Sequence, residues 1–446
     1  MTSSDIKPAT RPTRDQERAI RQMQDFYEPL MGGADFFLLS GYAGTGKTFA
    51  ITEFVKGLEV DAQVILTAPT NKAVRVLDAM AERAGLKVET ATIHSLLGLV
   101  LGYEKDKQIL KKNRASTLSK YDLVIVDECS MIGESLWHYI EEGLRNLSTQ
   151  VIFVGDPLQL PPVGEVASPT FSIENRADLN QIIRQQAGNP IIELSAAIRN
   201  IMETGGRLPV RRFLSEPGSK SGLFLMPDHR FEKWFPGAFK QERYRQDRDA
   251  FRVVSWTNRK VNYFNDTIRS FLVDRPSNQP FLPGERAVTA DGVHIRIGQS
   301  KTKLVLNTDS EGEVLQCDKT IHPWHEEPLT VWETRFQPFD TEAAVTLYLP
   351  DPSTSHQVQA RLKRLAEQAR AGKKQWWDFW NLRNSLADLR PCHAITVHRS
   401  QGSTFSNVFV DSENILANPN RQEALQCLYV AVTRASDCVV LNTPLI

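Results

Sequence analysis

The sequence predicts an α/β protein of two open parallel-sheet domains, the first interrupted by a β-hairpin and the second by a small β-barrel. Three observations predict it. Apolar runs without polar alternation recur between helical stretches, as strands covered on both faces require. One of these runs passes through a glycine-rich turn into a helix. A string of short β runs with Gly and Asp at the turns then splits the second half of the pattern in two.

In order along the chain, polar residues with Pro8 and Pro12 lead into a helix expected from about Arg14. The run FFLLS at 36–40 precedes the glycine-rich turn, and a helical pattern follows over 47–58. The runs VILTA at 64–68, LVIVD at 123–127 and VIFVGD at 151–156 are the next strands. Residues 96–117 hold two apolar stretches around a charged turn at 105–107, the pattern of a protruding hairpin. A second α/β pattern starts with FRVVSWTN at 251 and resumes with AITVHRSQGSTF, NVFVD and CVVLN after about residue 392. Between them, RAVTA, VHIRIG, KLVLN, GEVLQC, LTVWETRF and AAVTLYL are the barrel strands, followed by a charged helix over 356–371 and the aromatic cluster WWDFW at 376–380. The expected domains are therefore 1–175, 176–282 with 391–446, and an insertion over 283–390.

The chain has 446 residues, 41% apolar and 24% charged, with 53 Lys+Arg against 53 Asp+Glu. Such values exclude a disordered, collagen-like or coiled-coil chain. Zero net charge removes any global field that would draw in a polyanion, so nucleic-acid binding would need a local groove. Residues 176–270 supply a candidate, with 17 Lys+Arg against 10 Asp+Glu. No membrane span or secretory signal is legible, so a cytoplasmic protein without membrane contact is expected. Five scattered cysteines without a C-x-x-C pair read as reduced, buried residues and not as disulfides or a zinc site.

The glycine-rich turn is GYAGTGKT, comprising Gly41, Ala43, Gly44, Thr45, Gly46, Lys47 and Thr48. It matches G-x-x-x-x-G-K-[ST] between a strand and a helix, where backbone N–H groups curl around phosphate oxygens and the helix start adds positive charge. Lys47 would reach the β- and γ-phosphates of ATP, and Thr48 would hold Mg²⁺. Asp127 and Glu128 end an apolar strand at the edge where open α/β sheets bind ligands. Asp127 suits the metal shell and Glu128 the general base.

The ordered set of GYAGTGKT, DECSM at 127–131, GDPLQLPPV at 155–163, TVHRSQGSTF at 396–405 and LYVAVTRA at 428–435 resembles superfamily 1 DNA helicases of the RecD/Dda-like branch, over residues 16–434. The resemblance implies two RecA-like P-loop NTPase domains with ATP and Mg²⁺ between them, an inserted hairpin, and an SH3-like barrel. It implies ATP-driven, 5′-to-3′ movement on single-stranded DNA and unwinding of forked DNA by a monomer. A single-strand-binding protein and replication or repair proteins are the further partners it suggests. Two other readings stand beside it: a translocase that strips proteins from DNA, and an RNA helicase of the same superfamily.

Residue by residue, the resemblance makes Gln16 the adenine reader, Gln159 the γ-phosphate sensor, and Arg184 and Arg434 the arginine fingers. Gln401 and Gly402 would touch the γ-phosphate from the second domain. Pro69, Thr70, Asn71, Thr92, His94, Thr257, Asn258, Thr396 and His398 match strand-contacting positions. The apolar hairpin residues, including Leu101 and Tyr103, would wedge the duplex or else pack on the inserted barrel. The WWDFW aromatics read as core, with base stacking the alternative.

Overall fold

The computed structural model describes residues 11–27, 35–59, 61–105, 107–181, 189–208, 210–216, 219, 221–273, 279–297, 301–323 and 328–442. Two compact units result. One comprises Met1–Leu101, Leu110–Val261 and Ile395–Ile446, and the other Gly102–Ile109 with Asn262–Ala394.

The larger unit holds both parallel sheets. Its first strands are β1 (Phe36–Gly41), β2 (Val64–Ala68) and β3 (Glu89–Thr92); the hairpin of β4 (Leu99–Glu104) and β5 (Lys107–Lys112) follows in sequence, its tip Gly102–Ile109 counted with the other unit. β6 (Leu123–Val126), β7 (Gln150–Gly155) and β8 (Arg176–Leu179) come next, and the six-stranded sheet runs β3-β2-β6-β7-β1-β8. All of its pairings are parallel. Alternate residues of each strand enter opposite cores, which explains why the strands lack polar alternation. Phe37, Leu39, Leu66, Ile125 and Ile152 pack on one face with the Arg14–Tyr27, Lys47–Lys56 and Asn71–Ala84 helices. Leu38, Ile65, Val124, Val126 and Phe153 pack on the other with the Glu134–Leu144 helix. Burying both faces removes apolar surface worth about 25 cal/mol per Å².

The second parallel sheet begins with β9 (Gly222–Leu225) and β10 (Phe251–Ser255). The smaller unit then interrupts it with β11 (Arg286–Thr289), β12 (Val293–Ile297), β13 (Lys301–Leu306), β14 (Glu311–Ile321), β15 (Thr330–Pro338), β16 (Val345–Pro350) and β17 (Leu389–Pro391). β18 (Ala394–Thr396), β19 (Phe405–Val410) and β20 (Ala435–Leu441) complete a five-stranded sheet of order β18-β10-β19-β20-β9. Within the insertion, the described strands pair as a five-stranded antiparallel sheet β16-β15-β14-β11-β17 and a separate ribbon β12-β13. The Ser355–Arg370 and Trp376–Ser385 helices cover it through Val358, Leu365 and Leu382.

Two expectations change. Arg176–Leu179, read as the start of the second domain, adds to β1 at the edge of the first sheet, so the first domain runs past residue 175. The second sheet gains β9, upstream of the FRVVS run. The five cysteines are all buried free thiols, as expected.

Candidate nucleotide site and nucleic-acid interface

Parallel strands deliver the segments at their C-terminal ends to one edge of the sheet. In the order β3-β2-β6-β7-β1, the segments after the strands are Thr92, Pro69 to Asn71, Asp127 with Glu128, Asp156 to Gln159, and the GYAGTGKT loop. The nucleotide-type motifs thus occupy three neighbouring strands, and the strand-contact motifs the two beside them.

At the loop, a Cβ on Gly41 would lie 2.8 Å from Thr45 Oγ1 and 3.0 Å from Leu179 Cβ, so the chain closes tightly on itself there. Gly44 and Gly46 have φ of 79° and 78°, left-handed values that turn successive N–H groups inward. Lys47 Nζ donates to the carbonyls of Gly41 (2.6 Å) and Tyr42 (3.2 Å), which holds the ammonium inside the loop. Thr48 is exposed at the first turn of the helix. Gln16 is buried; its Nε2 donates to Thr45 O at 3.0 Å, and its Oε1 accepts from Thr13 N at 2.9 Å. The residue expected to read adenine therefore also braces the phosphate loop.

β6 ends at Val126, and Asp127 N donates to Thr67 O at 2.8 Å. Glu128 adopts φ 52°, a left-handed conformation that costs a non-glycine residue about 1–2 kcal/mol. Its N–H donates to Asp127 Oδ1 at 2.8 Å. Burial, then the Glu128 charge, push the Asp127 carboxyl up to about 6, against the Glu128 N–H and the Lys47 ammonium. Two carboxylates thus crowd one another beside a cation, an arrangement of hard oxygen donors suited to a divalent ion.

After β7, Asp156 is fully buried and accepts Leu158 N through Oδ1 at 3.0 Å, shaping the turn that carries Gln159. Gln159 is buried, and its Oε1 has no hydrogen-bond partner among the described residues. From the second sheet, Gln401 Nε2 donates to Leu160 O at 3.1 Å. Gly402 has φ 68°, and a Cβ there would lie 3.1 Å from Ala73 Cβ and 3.5 Å from Thr70 Oγ1. Gly402→Ala is expected to lose about 1–2 kcal/mol of stability from the left-handed backbone alone, read as a lowered denaturation midpoint.

Arg434 ends the Arg421–Thr433 helix and is 7% exposed. Among the described residues its guanidinium donates to neutral oxygens: Val430 O (3.2 Å), Ser403 O (3.3 Å) and Thr433 Oγ1 (3.3 Å). Arg184 lies outside the described residues.

Sequence reasoning missed Tyr429. From that same helix its hydroxyl accepts Ala43 N at 3.0 Å and donates to Asp156 Oδ2 at 2.5 Å. The phosphate loop and the arginine-bearing helix of the second sheet therefore meet. The signal was present in LYVAVTRA, but a tyrosine in an apolar run reads as core.

Comparison with known proteins places the same two walls in sequence. Residues 13–206 match the model of an AAA domain, and residues 391–442 that of the UvrD-like helicase C-terminal domain. The ATP-dependent DNA helicase dda of Enterobacteria phage T4 is 23% identical over 422 residues, covering 89% of this chain and 92% of that one. The chain is similar to superfamily 1 helicases of the RecD/Dda-like branch. An uncharacterized protein of Acanthamoeba polyphaga mimivirus is 25% identical to this chain, covering 90% of it and 94% of the relative. The ATP-dependent RecD2 DNA helicase of Deinococcus radiodurans is 34% identical over 169 residues, 36% of this chain and 21% of that one. In fold, the chain resembles a Pif1 helicase structure solved in a study of unwinding at forked DNA, with TM-score 0.50, 17% identity and coverage of 96% and 91%.

The threonines expected to contact the strand share a geometry. Thr70, Thr92 and Thr396 each cap a helix start, their Oγ1 accepting Ala73 N (3.2 Å), Ser95 N (3.1 Å) and Arg399 N (3.3 Å). Among the described residues no acceptor takes the proton of any of these three hydroxyls. Thr257 likewise accepts Lys260 N at 3.4 Å, but it also donates through both N–H and Oγ1 to Asn414 Oδ1, at 3.0 and 3.1 Å. Asn71 and Asn258 are exposed at their helix starts, and Pro69 is half-buried. Burial lowers the pKa of His94, opposed by its hydrogen bond to the Pro69 backbone. His398 is likewise lowered by burial against the pull of Glu423. His398, Glu423 and Cys427 bring one donor atom each within 4.8 Å of one another, one ligand short of a closed structural zinc set.

The hairpin divides its apolar residues. Leu99 is buried in the first domain's core, whereas Leu101 is 47% exposed. The backbone of Tyr103 lies in β4, and its side chain is outside the described residues. The tip, Gly102–Ile109, groups with the inserted unit, where Trp380 Nε1 donates to Lys105 O at 2.7 Å. The WWDFW aromatics are core only in part: Phe379 is half-buried and packs against the cluster of Val358, Leu365 and Leu382, Trp376 and Trp380 are half-buried, and Trp377 is 42% exposed. They stack edge-on, Trp376 with Phe379 at 5.6 Å and Phe379 with Trp380 at 4.9 Å. Their helix buries only Leu382 and Ser385.

Proposed function

We propose that this chain is an ATP-dependent DNA helicase that moves 5′-to-3′ on single-stranded DNA as a monomer and unwinds duplex. The observation that carries it is the meeting of Ala43 and Tyr429, which joins the phosphate loop to the helix bearing Arg434. Lys47 and the loop amides bind the phosphates, Glu128 takes the proton of the attacking water, and Gln159, Gln401 and Arg434 face the terminal phosphoryl group. Arg184 is the second arginine finger in this reading. Thr48 and Asp127 would hold Mg²⁺, which when bound offsets phosphate charge.

Loss of the γ-phosphate removes contacts that only the closed pair of walls can make, and that difference drives opening. Pro69, Thr70, Asn71, Thr92 and His94 hold the strand on the first wall, and Thr257, Asn258, Thr396 and His398 on the second. Leu101 and Tyr103 engage the fork at the hairpin. The inserted sheet with its ribbon is read as an SH3-like barrel, supported by the bulge in β14 between Val314 and Gln316, which bends a strand as barrels require. A single-strand-binding protein is the partner such an activity calls for.

Strand displacement with paired substrates tests this. Unwinding is expected with a 5′ overhang and not with a 3′ overhang. The reverse preference overturns the polarity, ATPase without strand separation favours a protein-stripping translocase, and ATPase stimulated by RNA over DNA favours an RNA helicase.

A further inference from the structure

We propose that Tyr429 is a positioning residue for ATP hydrolysis, holding the phosphate loop and the Gln159 turn in one frame through a two-bond relay from Ala43 through its hydroxyl to Asp156. The inference rests on the ATPase reading and names a residue that reading does not use.

The hydrogen-bond directions are fixed by chemistry. A phenol has one proton and a carboxylate only accepts, so the Tyr429 hydroxyl donates to Asp156 Oδ2 and receives the Ala43 N–H. The hydroxyl and the carboxylate are withdrawn from water: Tyr429 is 1% exposed and Asp156 is fully buried, while Ala43 is half-buried and packs against the second sheet's core. Burial and the Asp156 charge both raise the Tyr429 pKa, which keeps the phenol protonated and the relay directional. At its far end, Asp156 uses Oδ1 to cap Leu158 N, and its carbonyl accepts Gln159 N at 3.2 Å. The hydroxyl of one residue thereby sets the first turn of the loop that carries Lys47 and the turn that carries Gln159, whose Oε1 has no partner among the described residues.

A second restraint lies beside it. The Arg199 guanidinium sits 4.1 Å from the centroid of the Tyr42 ring, so both residues between Gly41 and Gly44 are anchored by the second domain. Lys47 Nζ and the Thr48 carbonyl bond within the first domain, to Gly41, Tyr42 and Thr52. Loss of the relay should therefore disturb the alignment of loop and sensor, felt in turnover, more than the initial capture of phosphate.

The test uses the full chain, comparing wild type with Tyr429→Phe, Asp156→Asn and the double variant. Phenylalanine keeps the ring in the core and removes only the relay oxygen. The expected result for Tyr429→Phe is about a tenfold fall in DNA-stimulated kcat with the KM for ATP within about twofold, as for a lost buried charge-assisted bond. Because both substitutions break one unit, the double variant should be no slower than the slower single. Thermal denaturation and binding of a fluorescent ATP analogue confirm that each variant folds and binds. A Tyr429→Phe kcat within twofold of wild type overturns the inference, as do a KM effect alone, additive losses, or a fall in turnover matched by lost folding. Absence of DNA-stimulated ATPase in wild type would instead defeat the ATPase reading itself.

Discussion

Lys47→Ala is expected to lower ATP turnover at least about 10²–10³-fold, the loss expected on removing one preorganised charge from a developing phosphoryl transition state. The ammonium is already aimed: Gly41 and Tyr42 carbonyls hold Nζ within the loop at 2.6 and 3.2 Å, and the helix start lies beside it. Its bonds go to the loop itself, so alanine should leave the fold intact while the loop loses its only lysine. Turnover with and without single-stranded DNA, read beside a melting curve, measures this. A variant that hydrolyses ATP at the wild-type rate would remove GYAGTGKT from the chemistry.

Glu128→Gln should separate binding from reaction. Glutamine keeps the shape of the side chain and its backbone amide still donates to Asp127 Oδ1, but it cannot accept the proton of the attacking water. Nucleotide affinity should stay within about threefold of wild type while hydrolysis falls about 10²–10⁴-fold, the usual worth of a positioned base. Equilibrium binding and single-turnover hydrolysis read the two effects separately. The backbone at Glu128 gives the substitution its clarity: the residue bears the strain of a left-handed φ whichever of the two side chains it carries, so stability should change little. Undiminished single-turnover hydrolysis would remove Glu128 as the base.

Much of this architecture was legible in the sequence because buried parallel strands leave a strong trace. FFLLS, VILTA, LVIV and VIFV are apolar on both faces, and they emerge as β1, β2, β6 and β7 with the expected motifs at their ends. The short edge strands were not legible. RADL at β8 alternates polar and apolar residues over four positions, and its pairing with β1 joins segments far apart in the chain, which local pattern cannot reveal. Gly222–Leu225 is equally short.

The site shows the same division. Residues whose chemistry is written in a motif were found; those defined by what they touch were not. Tyr429 has an aromatic ring that belongs to the second sheet's core and a hydroxyl that belongs to the phosphate loop, and only the first of these is visible in LYVAVTRA. The WWDFW cluster failed in the opposite sense. Aromatic density suggested burial, but the helix turns only Leu382 and Ser385 fully inward and leaves Trp377 exposed and the other three rings half-buried, with the Trp380 indole bonded to the hairpin tip.

The threonine caps bear on how force could travel. In Thr70, Thr92 and Thr396 the same oxygen that begins a helix carries the proton a phosphate would take. A polynucleotide gripped there would pull on helix axes and not on loose tethers, so tension along the track would load the two sheets directly, as a shaft loads its bearings.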